Sequence, residues 1–281
     1  MNIRPLGPSP ELMARLSSAP VPSEELRHRL GLQEDLRNID ITDARIQASV
    51  PALRDAVSYW KAYPDKFVEF LAGPNSKFKF YSYQRVMLRA ACRSTYSFMT
   101  FPRAYSKSFI SFLSLMVKCI LYPGAQLFTT TAGKQQAANI ATEKINELVK
   151  LIPAFRKEID WNKTSFAKDT VKVHFHNGSE INVMAAQQTT RGARRHGGLM
   201  EEAILIDGQI LNEVILPTLN VSRRCANGEV DPNDALNKSQ TYITTSGWKN
   251  TFAYQKALQI LIWQLIKPGK SISLGGTWRK Q

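Results

Sequence analysis

The chain has 281 residues, enough for one large domain or two smaller ones. With 43% hydrophobic and 21% charged residues it has the composition of a folded globular protein, which excludes a disordered or fibrous chain. Its 37 Lys and Arg against 23 Asp and Glu leave a net charge of +14, which points to a polyanionic partner, nucleic acid before an anionic membrane surface.

Residues 1–60 read as a small helical appendage. Pro5, Pro8, Pro10, Pro20 and Pro22 punctuate its start. Helical pieces are expected at Ser23–Leu30 and Ala44–Ala62, the second divided at Pro51. A short helix over Asp65–Leu71 follows, then the turn signal Gly73-Pro74-Asn75. The main domain spans 61–268, with its core beginning near Phe78.

Within it, Tyr83–Ser94 reads as a helix, Tyr96–Phe101 as a strand and 107–121 as an apolar helix. That run is broken by Ser111, Ser114 and Lys118 and is too short and polar for a membrane span. Ala125–Thr130 is a second strand. Lys134–Leu151 is a long helix with apolar positions at Ala137, Ile140, Ile145, Leu148 and Val149. Val171–Phe175 and Ile181–Ala185 form a hairpin around Asn177-Gly178. A short strand precedes Glu201, and Ile210–Ile215 is helical and stops near Pro217. Ala226–Ser239 is a polar surface loop. Thr241–Thr245 is a strand, Phe252–Leu265 a helix, and 269–281 a linker. The alternation predicts an α/β fold with a mostly parallel central sheet flanked by helices.

Three cysteines, Cys92, Cys119 and Cys225, are scattered and exclude a disulfide framework or metal-ligand spacing. Among the histidines, His174 and His176 alternate in a strand, with no carboxylate or cysteine pattern to complete a metal site.

The segment Phe101-Pro102-Arg103-Ala104-Tyr105-Ser106-Lys107-Ser108 carries the most chemistry. Strand, short loop, Lys-Ser and helix is the context in which backbone N–H groups cradle phosphates. Lys107 adds a point charge and Ser108 a hydroxyl ligand for Mg²⁺. The glycines usual in such a loop are absent: Phe101 or Pro102 stands at the first and Ser106 before the lysine. A nucleotide site needs acidic residues at a neighbouring strand end. Glu201-Glu202 and Asp207 both qualify, and Asp207 ends the more hydrophobic run, since Gly197 and Gly198 weaken the first. Arg191, Arg194 and Arg195 flank a glycine and suit phosphate contact. Thr244-Thr245-Ser246-Gly247 ends a strand with hydroxyls that suit a γ-phosphate or cap the next helix. Gln84, beside Tyr81 and Tyr83, suits an adenine edge.

In order and spacing these features resemble the large terminase subunit of tailed bacteriophages and prophages, the ATP-driven motor that packages DNA into a procapsid. The resemblance runs from about Phe80 to Leu265. Tyr83-Gln84 is similar to the adenine-side glutamine motif. Arg103-Ala104-Tyr105-Ser106-Lys107-Ser108 is similar to the deviant phosphate loop with its early arginine, and Glu201-Glu202-Ala203 to the Asp-Glu-Ala acidic element. The resemblance implies a P-loop NTPase of the additional-strand, catalytic-glutamate type, with ATP and Mg²⁺. Glu201 then holds the metal shell with Ser108, and Glu202 positions water. Arg103 and Lys107 serve the phosphates, and Arg191 acts as a finger toward a neighbouring subunit. Thr245 and Ser246 couple hydrolysis to movement. It also implies double-stranded DNA, portal protein and small terminase subunit as partners, a homo-oligomeric (pentameric) ring and no membrane. The expected location is the host cytoplasm, transiently at the portal vertex. Residues 269–281 would lead into a nuclease domain, so cleavage is expected only of the complete protein. A helicase-like ATPase and a non-enzymatic basic scaffold are the competing readings.

Overall fold

The computed structural model describes residues 44–74, 76–167, 170–184, 193–225, 228–266 and 268–276. The expected helix at Ser23–Leu30 and the candidate Arg191 lie outside them. The chain divides into two compact units, Met1–Ala62 and Tyr63–Gln281. In the first, α1 spans Ala44–Ala62 and runs unbroken through Pro51, where a division was expected. A single proline removes one helical hydrogen bond without ending the helix.

The second unit begins with α2 (Pro64–Ala72) and α3 (Ser82–Arg93), joined by a buried clamp. Asp65 accepts from Arg89 Nε at 2.6 Å and from Arg85 Nη1 at 3.1 Å. Then come β1 (Tyr96–Thr100), α4 (Lys107–Leu121), β2 (Gln126–Thr130), α5 (Lys134–Leu151) and α6 (Ala154–Glu158). A three-strand antiparallel extension follows: β3 (Ser165–Ala167), β4 (Thr170–His174) and β5 (Glu180–Val183). After β6 (Gly197–Glu201) the chain makes a 3₁₀ turn at Ala203–Leu205. It continues as α7 (Gly208–Ile210), whose path passes through π and 3₁₀ turns to Leu219. That path ends at Leu219, close to the expected stop near Pro217, and proline is tolerated in the first turn of its closing 3₁₀ segment. β7 (Ser239–Thr244), α8 (Phe252–Ile266) and β8 (Ser271–Gly275) complete the unit.

The eight strands lie in the order β3-β4-β5-β2-β6-β7-β1-β8, and every pair from β5 to β8 is parallel. The β1–α4–β2 and β7–α8–β8 crossovers lead in opposite directions along the sheet. Right-handed connections therefore place α4 and α8 on opposite faces. On the α8 side, Phe98, Phe128, Met200 and Tyr242 of the strands pack with Leu211, Ile215 and Ile260. α4 is buried over nearly its whole length, as its apolar sequence requires.

Two expectations change. Residues 269–281 contain a strand of the sheet, β8, paired with β1, where a linker was expected. Ser-Ile-Ser-Leu alternates with period two, but its flanking glycines and proline hid it. Gly197 and Gly198 do not weaken β6. A β-carbon at Gly198 would lie 2.2 Å from the Phe128 ring, and one at Gly197 2.2 Å from Ser239 Oγ. Neighbouring strands fill the space the glycines leave.

Candidate functional site

The loop from β1 to α4 is held from below by aromatic packing. The Phe101 ring stacks on Tyr105 at 5.0 Å, and Tyr105 meets Tyr83 at 4.2 Å. Phe101 N–H donates to Thr244 O, which ties the loop's entry to the end of β7. Ala104 (φ 61°) and Ser106 (φ 52°) take the left-handed conformation that glycine usually supplies. The chain thus curves into α4 without glycine, at a local conformational cost. No side chain caps α4. The N–H groups of its first turn, which have no intrahelical partners, are left for an anion.

Lys107 opens α4 and folds its Nζ back onto Pro102 O. Burial lowers its pKa, and Arg103 lowers it further, against the pull of Glu201 and Glu202. Glu201 ends β6 and is 2% exposed. Burial pushes its carboxyl up to about 7 and the charge of Glu202 adds to this, while Ser108, Lys107 and Lys144 oppose it. Its Oε2 has no hydrogen-bond partner among the described residues. A buried carboxylate oxygen left open beside a serine hydroxyl fits a hard cation such as Mg²⁺. That ion takes few protein oxygens and fills its shell with water and phosphate. Glu202 follows in the left-handed region (φ 49°, ψ 47°), a sparsely populated conformation for glutamate. Its Oε2 accepts from Gln136 Nε2 at 2.9 Å.

These groups line one cleft of about 790 Å³. It brings together Gln84, Arg103, Ala104, Tyr105, Ser106, Lys107, Ser108, Glu201, Glu202 and Thr245. Ser246 does not line it; with Gly247 and Trp248 it borders a smaller cleft of about 170 Å³ that shares Ile204, Thr244 and Thr245. Gln84 has a structural task as well: its Oε1 accepts from Tyr81 N–H at 3.0 Å at the start of α3. Tyr105 is 2% exposed and serves the aromatic packing. Asp207 accepts from Gln209 and Ile210 N–H and caps α7, so the second acidic candidate is a helix cap.

Sequence reasoning missed Lys144 and Glu147 of α5, which line the cleft as an ion pair at 2.9 Å. Their i, i+3 spacing was visible but indistinguishable from a solvated helix face. Thr244, the first of the strand-end hydroxyls, also lines the cleft, and its buried Oγ1 lacks a partner among the described residues. His174 lies 3.7 Å from Glu180, and no group of three metal-ligating side chains occurs among the described residues.

The cleft sits where β1 and β6 end, with β7 inserted between the phosphate-loop strand and the acidic strand. A Lys-Ser helix start in that topology is the P-loop NTPase fold of the additional-strand type. No family model matches the sequence, and no curated protein matches it. Among solved structures the chain is similar to the large terminase ATPase domain of Thermus phage P74-26. Identity is 15% over 75% of this chain and 92% of that one, with a TM-score of 0.43. It is similar to the HK97 bacteriophage large terminase at 13% identity, covering 72% of this chain and 40% of that one, TM-score 0.46. For a large terminase of a thermophilic bacteriophage in complex with ADP, the values are 10%, 70%, 46% and 0.46. The chain spans less than half of those two longer proteins. These likenesses are weak, and the fold stands on the strand order and the loop.

Proposed function

We propose that this chain binds ATP with Mg²⁺ in the cleft at the start of α4 and hydrolyses it, as the ATPase part of a phage motor that moves double-stranded DNA. The observation that supports this best is the meeting of Lys107, Ser108, Glu201 and Glu202 at one helix start, with one buried carboxylate oxygen left open. The first-turn N–H groups of α4 receive the β-phosphate. Lys107 leaves Pro102 O and turns to the β- and γ-phosphates. Ser108 and Glu201 hold the metal shell, and Mg²⁺, when bound, neutralises charge on the phosphate oxygens. Glu202 orients the attacking water and accepts its proton, once Gln136 releases the carboxylate. Arg103 stands exposed at the cleft rim, where it meets the outer phosphate oxygens. The +14 charge supports a grip on DNA through its phosphates, which is what a motor indifferent to sequence needs. Portal protein and small terminase subunit are the further partners this reading proposes.

Two variants test it together. Lys107→Ala should lose ATP hydrolysis by at least ~100-fold, since it removes the cation that meets developing phosphate charge. Glu202→Gln should keep ATP affinity within about threefold yet stop phosphate release, because the amide keeps its size and loses the basic oxygen. Wild-type turnover in either protein would remove the assignment.

A further inference from the structure

A second cleft, of about 670 Å³, opens at the other edge of the sheet, where β7, β1 and β8 begin. Three cations line it: Arg93 in the last turn of α3, Lys238 ahead of β7 and Lys270 ahead of β8. All three are exposed, and none has an ion-pair partner among the described residues. Asp234 is the one carboxylate among the described lining residues, and it is already neutralised. It is buried and accepts from Arg223 Nε at 2.8 Å and Nη2 at 2.6 Å. The cleft therefore carries positive charge that nothing in its lining offsets.

Its wall is aromatic. Trp263 of α8 and Tyr96 of β1 lie 4.7 Å apart, ring to ring, and both are half-buried. Both pack against the core on the α8 side of the sheet. That packing fixes the rings, and both also border the cleft.

We propose that this cleft binds a single-stranded stretch of nucleic acid, with phosphates on Arg93, Lys238 and Lys270 and an unpaired base against Trp263. Cations beside an aromatic platform are the two parts such a site needs. A cleft of this size takes a group as large as a nucleotide. The spacing of the cations favours a strand over a lone nucleotide. β7 and β8 pair with opposite sides of β1, so the backbones that carry the two lysines stand two strand spacings apart, about 10 Å. That separation suits successive phosphates better than a single one. A duplex keeps its bases paired and stacked, out of reach of Trp263. The inference rests on neither the ATP assignment nor the grip on duplex DNA.

Fluorescence anisotropy of the whole chain with a labelled thymidine strand of about ten nucleotides, at about 0.05 M salt, tests it. Lys238→Ala with Lys270→Ala should weaken strand binding at least ~10-fold and lower the salt slope by about 1.4, the share of two phosphates on a single strand. It should weaken a duplex of the same length less. Trp263→Leu should weaken strand binding at least ~5-fold at an unchanged slope and leave the duplex unaffected, whereas Trp263→Phe, which keeps a ring, should retain most of the affinity. Thermal unfolding checks each variant, and the exposed lysine pair decides the matter if Trp263→Leu melts early. Lys107→Ala should hold the strand as tightly as the wild type, which separates failure of this site from failure of the nucleotide cleft. No strand binding up to ~100 μM protein would overturn the proposal, as would unchanged affinity in the folded lysine or tryptophan variants. Equal losses for strand and duplex would reduce the cleft to a backbone grip and overturn it too. Displacement of the strand by thymidine monophosphate at the strand's own affinity would do the same, by making the ligand a lone nucleotide.

Discussion

Ser106 shows how far one side chain can replace another at a demanding position. It stands at the residue before α4 with φ 52° and makes no capping bond, and there a β-carbon costs about 1 kcal/mol that glycine avoids. Ser106→Gly should therefore stabilise the fold by up to about 1 kcal/mol, less what glycine's greater freedom in the unfolded chain takes back. Ser106→Val should destabilise it by more than that. Urea midpoints at unchanged slope would read both. Glu201 poses a different question, of charge. Its folded pKa of about 7 lies above the ordinary 4.5, so the folded state binds its proton more tightly than the unfolded chain does. The favourable contribution is complete below about pH 4.5 and is lost as pH rises through about 7, a loss of about 3 kcal/mol from that shift. Glu201→Gln should raise the melting temperature at pH 8 and leave it nearly unchanged at pH 4. On the proposed reading, Mg²⁺-dependent nucleotide affinity should rise across pH 7 in the wild type and lose that rise in the variant. A melting temperature equally sensitive at both pH values would rule out Glu201 as the titrating group.

At the scale of elements, β6 carries the next prediction. Gly198→Ala would drive a methyl to 2.2 Å from the Phe128 ring, so it should destabilise the sheet by about 2 kcal/mol. An unaltered unfolding midpoint would mean that β2 and β6 sit farther apart. The same strand shows what could be read in advance. Long periodic elements were legible: α5 spans Lys134–Leu151 as its apolar spacing predicts, and Asn177-Gly178 marks the turn between β4 and β5. What failed was local propensity overruled by neighbours. The glycines looked like weak strand residues because the groups that need them, the Phe128 ring at Gly198 and Ser239 at Gly197, lie far off in sequence. β8 looked like a linker because its register against β1 cannot be seen in five residues. In the cleft, the Lys-Ser pair was legible from its strand–loop–helix context. Lys144 and Glu147 were not, since nothing in a helix sequence says which of its polar faces meets a cavity.

Across the whole molecule the charge sets the terms. If DNA is gripped by its backbone, the logarithm of its affinity should fall linearly with the logarithm of salt, with a slope set by the number of phosphates contacted, and should vary little among unrelated duplexes. Filter binding or anisotropy with several duplexes at a series of salt concentrations would measure both, and a strong preference for one duplex would contradict this grip. One close approach gives the fold a mechanical property. A β-carbon at Gly247 would lie 1.8 Å from Ile204 Cδ1, so the segment leaving β7 is pressed against the turn that follows Glu202. Packed atoms transmit displacement rather than absorb it. Gly247 is thus the residue that lets the segment leaving β7 lie against Ile204, and any side chain larger than hydrogen at 247 must displace Ile204 and the turn that follows Glu202.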